Sequence, residues 1–366
     1  MRSKSIDKVF FGIVIALVVI GVFVFISASL AVLAEDKSQF FNILFNQLVL
    51  GLGLGFLAFY ACSKIHYTFW RKYAFWIFLF SILLTILVFI PKIGLEHGGA
   101  LRWISIGPIS FQPVEFLKLG FIIYFAGWLS WVKIRVHQFK FGLLPFLIMI
   151  GIISLILLMQ PDTKNLILIL LIGLVMFFAS GVSWRHVIGL GVVAIVGLLI
   201  LVLLKPYLLD RIQTYVNPAQ DPTGSSYQIQ QSLIAIGSGG VFGRGLGQSI
   251  QKFDYLPEPQ GDSIFAVIGE EMGFVGSTII ILLYVAFALR GLRIANRSPD
   301  IFSRLFVTGI VILIVAQSFL NIASAVGVLP LTGVPLVFMS HGGTSLFISL
   351  AAVGIILNIS RYRRKV

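Results

Sequence analysis

Long uncharged apolar runs, separated by shorter polar segments, make up almost the whole of this 366-residue chain. A helix needs about 20 apolar residues to cross a hydrocarbon core roughly 30 Å thick, and several of these runs are long enough. The pattern therefore predicts an all-α polytopic membrane protein. The ten transmembrane helices that we predict lie at about 9–34, 43–63, 73–91, 113–131, 141–159, 165–183, 187–204, 263–289, 304–328 and 344–360.

The first run follows three basic residues, as the hydrophobic part of a secretory signal peptide does. It extends for roughly 25 residues, whereas the hydrophobic region of a signal peptide has about 7–15. We therefore interpret it as the first transmembrane helix.

An even number of spans places both termini on one side of the membrane, and the basic residues indicate which side. Of the 27 basic residues, 18 lie at the termini and in the connections on that side, with only two acids, Asp7 and Asp300. Lys and Arg accumulate in cytoplasmic loops, so both termini are predicted to be cytoplasmic. The net charge of +13 then meets anionic lipid headgroups, and a nucleic-acid partner is not expected.

Composition agrees with a membrane protein and excludes several kinds of site. The chain is 58% hydrophobic and 11% charged, with a mean hydropathy of +1.02, which lies far outside the range of soluble domains. The single cysteine, Cys62, allows no internal disulfide and no thiolate metal site, and we expect it to be buried. The five histidines show no metal-ligand spacing. No organic cofactor is predicted.

The unusual sequence lies in the outward-facing loops 92–112, 160–164, 205–262 and 329–343. Loop 205–262, between the seventh and eighth predicted spans, is much the longest. No internal repeat is visible, so the inverted-repeat pattern of many transporters is absent. We predict one transmembrane domain, residues 1–366, that carries its chemistry on the outer face.

Four carboxylates lie within fourteen residues where the long loop re-enters the membrane: Glu258, Asp262, Glu270 and Glu271. Carboxylates at or inside a bilayer are costly and usually functional. Asp262 can serve as a general base, or it can cap the helix that follows. Glu258, between two prolines, suits a presented side chain or a plain turn. Glu270 and Glu271 suit an interhelical hydrogen bond or a direct role.

A second polar group lies at the start of the fourth and sixth predicted spans. Glu115 and Lys118 are three residues apart and can form a local pair. A lysine inside a span needs an acid, and Asp162 is another candidate partner. Such a pair is either structural or holds charge for an anionic substrate.

Two arginines accompany glycines on the outer face. Arg102 follows Gly98-Gly-Ala-Leu, and Arg244 lies within Gly239-Gly-Val-Phe-Gly-Arg-Gly-Leu-Gly247. Arginine binds phosphate oxygens in a bidentate manner, so both are candidate anion ligands. The glycine run lacks the Gly-Lys-Ser/Thr of a nucleotide loop, so a tight re-entrant turn or close helix packing is the better interpretation. A divalent cation, Mg²⁺ or Mn²⁺, can still bind near Asp262, because Mg²⁺ needs only one or two carboxylates plus phosphates.

Taken in order, these motifs resemble the SEDS family of shape, elongation, division and sporulation proteins, and they lie closer to its FtsW and SpoVE branches than to RodA. Any one motif is weak, but all appear in family order over nearly the full chain. The matching segments are Gly98–Trp103 with Gln112–Lys118, Gln160–Asp162, Tyr227–Ile236 with the glycine run, Leu256–Glu271, and Gly333–Pro335 with Gly342–Ser345.

The resemblance implies a ten-span peptidoglycan glycosyltransferase of the bacterial cytoplasmic membrane. It would polymerise lipid II, the undecaprenyl-pyrophosphate disaccharide-pentapeptide, with a class B penicillin-binding protein and other divisome or elongasome membrane proteins as partners. Asp262 matches the family's essential loop aspartate, and Arg102, Lys118 and Asp162 match other important positions. The residues around the acid, Gln260-Gly-Asp-Ser263, depart from the family pattern.

The chemistry of the residues agrees with that activity. One carboxylate, Asp262, can deprotonate an acceptor hydroxyl, and basic groups can stabilise a departing pyrophosphate. Direct displacement would invert the anomeric centre. We therefore expect Asp262 to be the base, Arg102 and Arg244 to hold pyrophosphate, Lys118 and Asp162 to shape the cavity, and Glu258 and Glu115 to support it or hold a cation. The main alternative is a lipid II flippase, and a scaffold for division or elongation proteins is compatible with either.

Overall fold

Helices dominate the computed structural model of the protein, which describes residues 5–97, 100–106, 109–182, 184–204, 206–216 and 225–362. Gly98 and Gly99 of the predicted anion motif, and the basic residues at the extreme termini, lie outside the described residues. The helices are α1 (Lys8–Glu35), α2 (Lys37–Leu44), α3 (Leu54–Lys64), α4 (Thr68–Lys72), α5 (Ala74–Ile86), α6 (Pro113–Val132), α7 (Leu144–Met159), α8 (Thr163–Ala179), α9 (Trp184–Leu204), α10 (Pro206–Val216), α11 (Ser225–Ser238), α12 (Ile264–Asn296), α13 (Ile301–Ala325) and α14 (Gly343–Ser360).

Within the described residues, seven helical segments are long and apolar enough to cross a membrane. Two of them include π-helical turns, Phe45–Gly53 before α3 and Phe139–Leu143 before α7. Three shorter apolar helices, Ala74–Phe89, Thr163–Ala179 and Ile188–Leu203, occupy the other predicted spans. The polytopic helical class predicted from the sequence is therefore confirmed, while the number of crossings and the single domain stay predictions.

The loops predicted to face outward contain structure that the hydropathy pattern did not predict. Loop 92–112 folds into a three-stranded antiparallel sheet, and loop 205–262 contains α10 and α11. The central strand pairs with both neighbours, for example Gly94 opposite Ile104 and Ile104 opposite Phe111. The strands are β1 (Gly94–His97), β2 (Ala100–Ile106) and β3 (Ile109–Phe111).

Contacts at one end of the bundle agree with the prediction that both termini lie on the same side of the membrane. Arg290, near the end of α12, donates two 2.9 Å hydrogen bonds to the Asp7 carboxylate before α1. The Asp7 amide donates to Ser360 at the end of α14, and Asn358 accepts from the Tyr67 amide. The two ends of the described chain and the α3–α4 connection thus share one face.

Helix α12 is broken at Gly273, where φ is 65° and ψ is −164°. The glycine run fills the break. The amides of Arg244 and Gly245 donate to the carbonyls of Glu270 and Glu271, both at 3.0 Å. Across the break, the amides of Phe274 and Val275 donate to the carbonyls of Gly240 and Val241. Non-helical backbone at membrane depth requires such protein partners, because no water is available there.

Close backbone approach explains the glycines of this segment. A Cβ at Gly239 would lie 2.0 Å from the carbonyl oxygen of Gly269, and one at Gly243 would lie 2.2 Å from that of Glu271. The close packing predicted for the glycine run is therefore confirmed. Cys62 is buried, as expected.

Replacing Gly243 with alanine should destabilise the protein much more than replacing Gly247. Both glycines have φ above 80°, so each alanine incurs about 1–2 kcal/mol of left-handed strain. Only Gly243→Ala must also displace the α12 backbone, whereas a Cβ at Gly247 meets nothing within 4 Å. We expect about 1–3 kcal/mol more destabilisation from that overlap. Thermal unfolding of the two detergent-solubilised variants tests this, and equal melting temperatures would contradict it.

Candidate active site

Asp262 ends the long loop, two residues before α12 begins at Ile264, and is half-buried. The cap of α12 is Ser263, and no side-chain cap hydrogen bond is present. The alternative that Asp262 caps this helix is therefore wrong. The Ser263 hydroxyl instead donates to the Pro257 carbonyl at 2.8 Å and accepts from Gln228 of α11 at 2.9 Å. These contacts fix the turn and leave the carboxylate of Asp262 for other neighbours.

Loop 329–342 is hydrogen-bonded along the turn that carries Asp262. The His341 amide donates to the Gln260 carbonyl at 2.7 Å, and the Ser340 hydroxyl donates to the Gly261 carbonyl at 2.8 Å. Asn321 of α13 donates to the carbonyls of Asp262 and Val334 at 2.9 and 2.8 Å. The backbone on both sides of the carboxylate is thus held by α13 and by the loop before α14.

Two cations lie near the Asp262 carboxylate. Lys164, in the first turn of α8, donates to the Gly333 carbonyl, and Arg211 of α10 donates to the Leu331 carbonyl at 3.1 Å. A Cβ at Gly333 would lie 3.1 Å from Asp262 Oδ2 and 3.4 Å from Lys164 Nζ. Gly333 also has a φ of +63°. A glycine at this position therefore keeps the space between carboxylate and ammonium open.

The surroundings of Asp262 push its pKa in opposite directions. Burial raises the pKa of the carboxyl above its ordinary value, while the charges of Lys164 and Arg211 lower it less strongly. The net effect is a raised pKa. A carboxylate whose pKa is raised toward the working pH is a stronger base, which suits proton abstraction.

Arg102 holds the start of α8 in place. From β2 it donates to the carbonyl of Gln160 at 3.3 Å and to that of Pro161. Asp162, which is fully buried, caps α8 and accepts from the Asn165 side chain at 2.8 Å. Because Lys164 lies two residues after Asp162, in the first turn of α8, Arg102 and Asp162 position the cation that faces Asp262.

Lys118 is buried in α6 and has two partners. Its ammonium donates to Glu115 at 2.7 Å and to Gln317 of α13 at 3.0 Å. The local pair predicted from the sequence is confirmed, and the alternative pair between Lys118 and Asp162 is wrong. Glu115 is therefore committed to a lysine, which leaves it poorly placed to hold a cation.

The other acids of the segment anchor the loop before Asp262. Glu270 accepts from the hydroxyl of Ser249 at 2.6 Å and from the amides of Ile250 and Gln251. Arg244 lies 3.6 Å from it. Glu271 forms a buried 2.7 Å ion pair with Lys252 and accepts from Ser27 of α1. These contacts support a structural role for Glu270 and Glu271.

The remaining predictions for this loop concern Glu258 and a divalent cation. The Glu258 side chain is exposed and lies over Gly261, one residue before Asp262. Among the described residues, no three His, Cys, Asp or Glu side chains are grouped so as to hold a metal ion. A divalent cation at Asp262 stays a prediction and would need ligands from the substrate.

Several residues of the site were not predicted from the sequence. Arg211 and Asn321 reach Asp262 only through tertiary packing, and no local motif marks them. Lys164 carried a signal, because a lysine in the first turn of an apolar helix, two residues after Asp162, must face a polar region. Lys252 also carried a signal, because a buried Glu271 needs a cationic partner and Lys252 supplies it.

Comparison with known proteins identifies the family. The family described as cell cycle protein, comprising FtsW, RodA and SpoVE, matches residues 7–365. The chain belongs to the FtsW/RodA/SpoVE family. It is 40% identical to stage V sporulation protein E of Bacillus subtilis over 366 residues, covering 99% of each chain. It is 38% identical to a probable peptidoglycan glycosyltransferase FtsW of Geobacter sp. over 363 residues, again covering 99% of each.

Solved structures of this SEDS family share the fold. The crystal structure of Thermus thermophilus RodA matches with a TM-score of 0.72 at 29% identity, covering 98% of both chains. A chain of a peptidoglycan synthase complex, described in terms of coordinated polymerization and crosslinking, matches with a TM-score of 0.79 at 29% identity, also covering 98% of both chains. The higher identity to SpoVE and FtsW confirms the branch predicted from the motifs.

In this SEDS protein, Lys118→Met should be strongly destabilising, because it leaves the buried Glu115 carboxylate without its cation. Removing one partner of a buried pair costs about 3–5 kcal/mol. The double variant Glu115→Gln/Lys118→Met removes both charges and should recover much of that loss. Thermal unfolding in detergent measures both, and a double variant no more stable than Lys118→Met would contradict the buried pair.

Proposed function

We propose that this chain is a peptidoglycan glycosyltransferase that polymerises lipid II at the outer face of the cytoplasmic membrane. The observation that carries the proposal is the placement of Asp262, a half-buried carboxylate with a raised pKa, beside Lys164 and Arg211 at the membrane end of a loop. Curated relatives covering the full chain are named as probable peptidoglycan glycosyltransferases. Those names favour an enzyme over a lipid II flippase.

In the proposed reaction Asp262 is the general base. It accepts the proton of the acceptor hydroxyl as that oxygen attacks the anomeric carbon of the donor sugar. The new bond joins carbon to the acceptor oxygen, and the bond from carbon to the pyrophosphate oxygen breaks. Undecaprenyl pyrophosphate leaves with the bonding electrons, so displacement inverts the anomeric centre. The leaving group needs no proton, so the second carboxylate of a glycosidase is unnecessary.

Lys164 and Arg211 are the cations best placed to stabilise the departing pyrophosphate, since both act electrostatically on Asp262 itself. Arg102 donates to two protein carbonyls and Arg244 lies beside Glu270. These contacts indicate that Arg102 positions α8 and that Arg244 positions the loop. Binding of pyrophosphate would be a secondary role for either arginine. Lys118 and Asp162 support the site from below.

A divalent cation fits the site only together with the substrate. Asp262 is a single carboxylate with two cationic neighbours, so Mg²⁺ or Mn²⁺ would need pyrophosphate oxygens as its other ligands. When bound it would neutralise charge on the leaving group. Glu258, which is exposed and lies over Gly261 in the same loop, is the second acid that we propose to assist.

The location of the site explains a lipid-linked donor. Asp262 lies two residues before a helix long enough to span the membrane, so a polyprenyl tail can stay in the bilayer while its sugars reach the carboxylate. The similarity to a chain of a peptidoglycan synthase complex supports a crosslinking partner. We propose a class B penicillin-binding protein in that role, together with other membrane proteins of the division or elongation machinery.

Asp262→Asn should abolish polymerisation without unfolding the protein, because asparagine has the same shape but cannot accept the proton. Loss of a general base lowers the rate by about 10²–10⁴-fold. The matched control is Asp254→Asn, which removes an exposed carboxylate from the same loop, where asparagine tolerates the positive φ of 67°. Lipid II polymerisation by purified protein, with and without its transpeptidase, measures both. Polymerisation by Asp262→Asn at the control rate would remove Asp262 as the base.

Lys164→Gln should shift the acidic limb of the pH–rate profile to higher pH. A general base is active when deprotonated, so activity falls as pH drops through its pKa. Lys164 lowers the pKa of Asp262, and removing its charge raises that pKa further. Arg211→Gln should shift the limb in the same direction but less, because it has the smaller effect on the pKa. An unchanged limb in Lys164→Gln would show that Asp262 does not set the pH dependence.

A further inference from the structure

A polar cavity of about 400 Å³ lies at the end of the bundle opposite Asp262. It opens between the end of α6, the short helix α4 and the start of α13. Its polar walls include Arg71 of α4, Lys133 after α6, Arg304 of α13, Asp300, Ser130 and Ser298. The proposed polymerisation uses none of these residues. All three cations belong to the face predicted to be cytoplasmic.

We call this cavity the basic pocket. Its three cations, Arg71, Lys133 and Arg304, lack acidic partners. No carboxylate of the described residues forms an ion pair with Arg71, Lys133 or Arg304. The one acid in the wall, Asp300, accepts from the amide and hydroxyl of Ser303 at 2.8 and 2.7 Å. Burial, together with the charge of Asp300 and a hydrogen bond to it, raises the pKa of Tyr67 to about 12. The pocket therefore keeps an excess of positive charge.

Arg304 has hydrogen-bonding capacity left over. Its Nε is buried without a partner among the described residues, while its Nη2 donates a long 3.4 Å bond to the Ala179 carbonyl. A buried donor without an acceptor is unfavourable, because it gives up its hydrogen bonds to water and gains none in the protein. An anion in the pocket would supply the acceptor that this guanidinium lacks.

The pocket lies at the depth of lipid headgroups. Its walls come from the ends of membrane-spanning helices, α6 and α13, rather than from their middles. Exposed aromatic side chains lie close to its cations in the sequence: Trp131 two residues before Lys133, and Phe69 and Tyr73 two residues before and after Arg71. Trp and Tyr concentrate at the membrane–water interface. A ligand entering from the bilayer would therefore meet the pocket with its headgroup.

We propose that this pocket binds a phosphate group, supplied by the headgroup of an anionic phospholipid in the cytoplasmic leaflet. Arginine matches phosphate oxygens in a bidentate manner, and lysine adds a point charge. Basic pockets between transmembrane helices on the cytoplasmic side bind such headgroups. The same chemistry would also accept a free phosphate, so the source of the phosphate must be tested separately.

The test compares two triple variants that remove equal charge from the same predicted face of the protein. Arg71→Gln/Lys133→Gln/Arg304→Gln empties the pocket of cations. The matched control, Lys72→Gln/Arg135→Gln/Arg297→Gln, changes basic residues that are close in sequence, exposed, and absent from the pocket wall. Native mass spectrometry of protein released from micelles with equal phosphatidylglycerol and phosphatidylcholine counts the retained lipids. The double variant Arg71→Gln/Lys133→Gln, which alters only exposed side chains, serves if the pocket triple variant does not fold.

Wild type and control should retain phosphatidylglycerol over phosphatidylcholine, and the pocket variant should retain it roughly tenfold less, since each basic residue near the surface contributes appreciably. In a second arm, inorganic phosphate is titrated against the melting temperature of lipid-free protein. Stabilisation by phosphate that the pocket variant loses would support the phosphate site with a free anion as its source. Two results would overturn the proposal if phosphate also has no effect on the melting temperature. One is equal lipid retention by all variants, and the other is an equal loss of lipid in the pocket and control variants.

Discussion

The break in α12 at Gly273 is the constraint on which the candidate site depends. A helix interrupted inside a membrane leaves amides and carbonyls that lipid cannot satisfy. Here the glycine run supplies the missing partners, with four backbone hydrogen bonds joining residues 240–245 to residues 270–275. Only glycine fits where a Cβ would overlap the α12 backbone. Because the run is pinned in this way, the loop that follows it reaches Asp262 from a fixed starting point.

Three carboxylates of this segment, Asp262, Glu270 and Glu271, illustrate how environment separates acidic residues with different roles. Glu270 accepts from two amides and a hydroxyl, and Glu271 has the buried ammonium of Lys252. Their lone pairs are occupied by groups that do not move during a reaction. Asp262 instead has cations nearby and a glycine that preserves space in front of it. The carboxylate with the least complete set of fixed partners is the one best suited to exchange a proton.

Much of the fold was predictable because the hydropathy of a spanning helix is a local property of the chain. Asp262, Glu115 and Lys118 were also found from local signals, a carboxylate at the membrane boundary and an i, i+3 pair. Arg211 and Asn321 were not, since each reaches the site through packing between segments distant in sequence. The wrong pair between Lys118 and Asp162 has the same origin. Sequence indicates that a buried lysine needs an acid, but not which helix faces it.

Helix α13 connects the two faces, which raises the question of whether they are coupled. Arg304 lies in its first turn and Asn321, which holds the Asp262 backbone, lies near its end, roughly 25 Å away at 1.5 Å per residue. Coupling between distant sites requires an element with two alternative arrangements. α13 is a continuous helix with a capping box and a largely buried surface, so it contains no break that would offer a second arrangement. An anion bound at Arg304 is therefore expected to stabilise the fold without altering the pKa of Asp262.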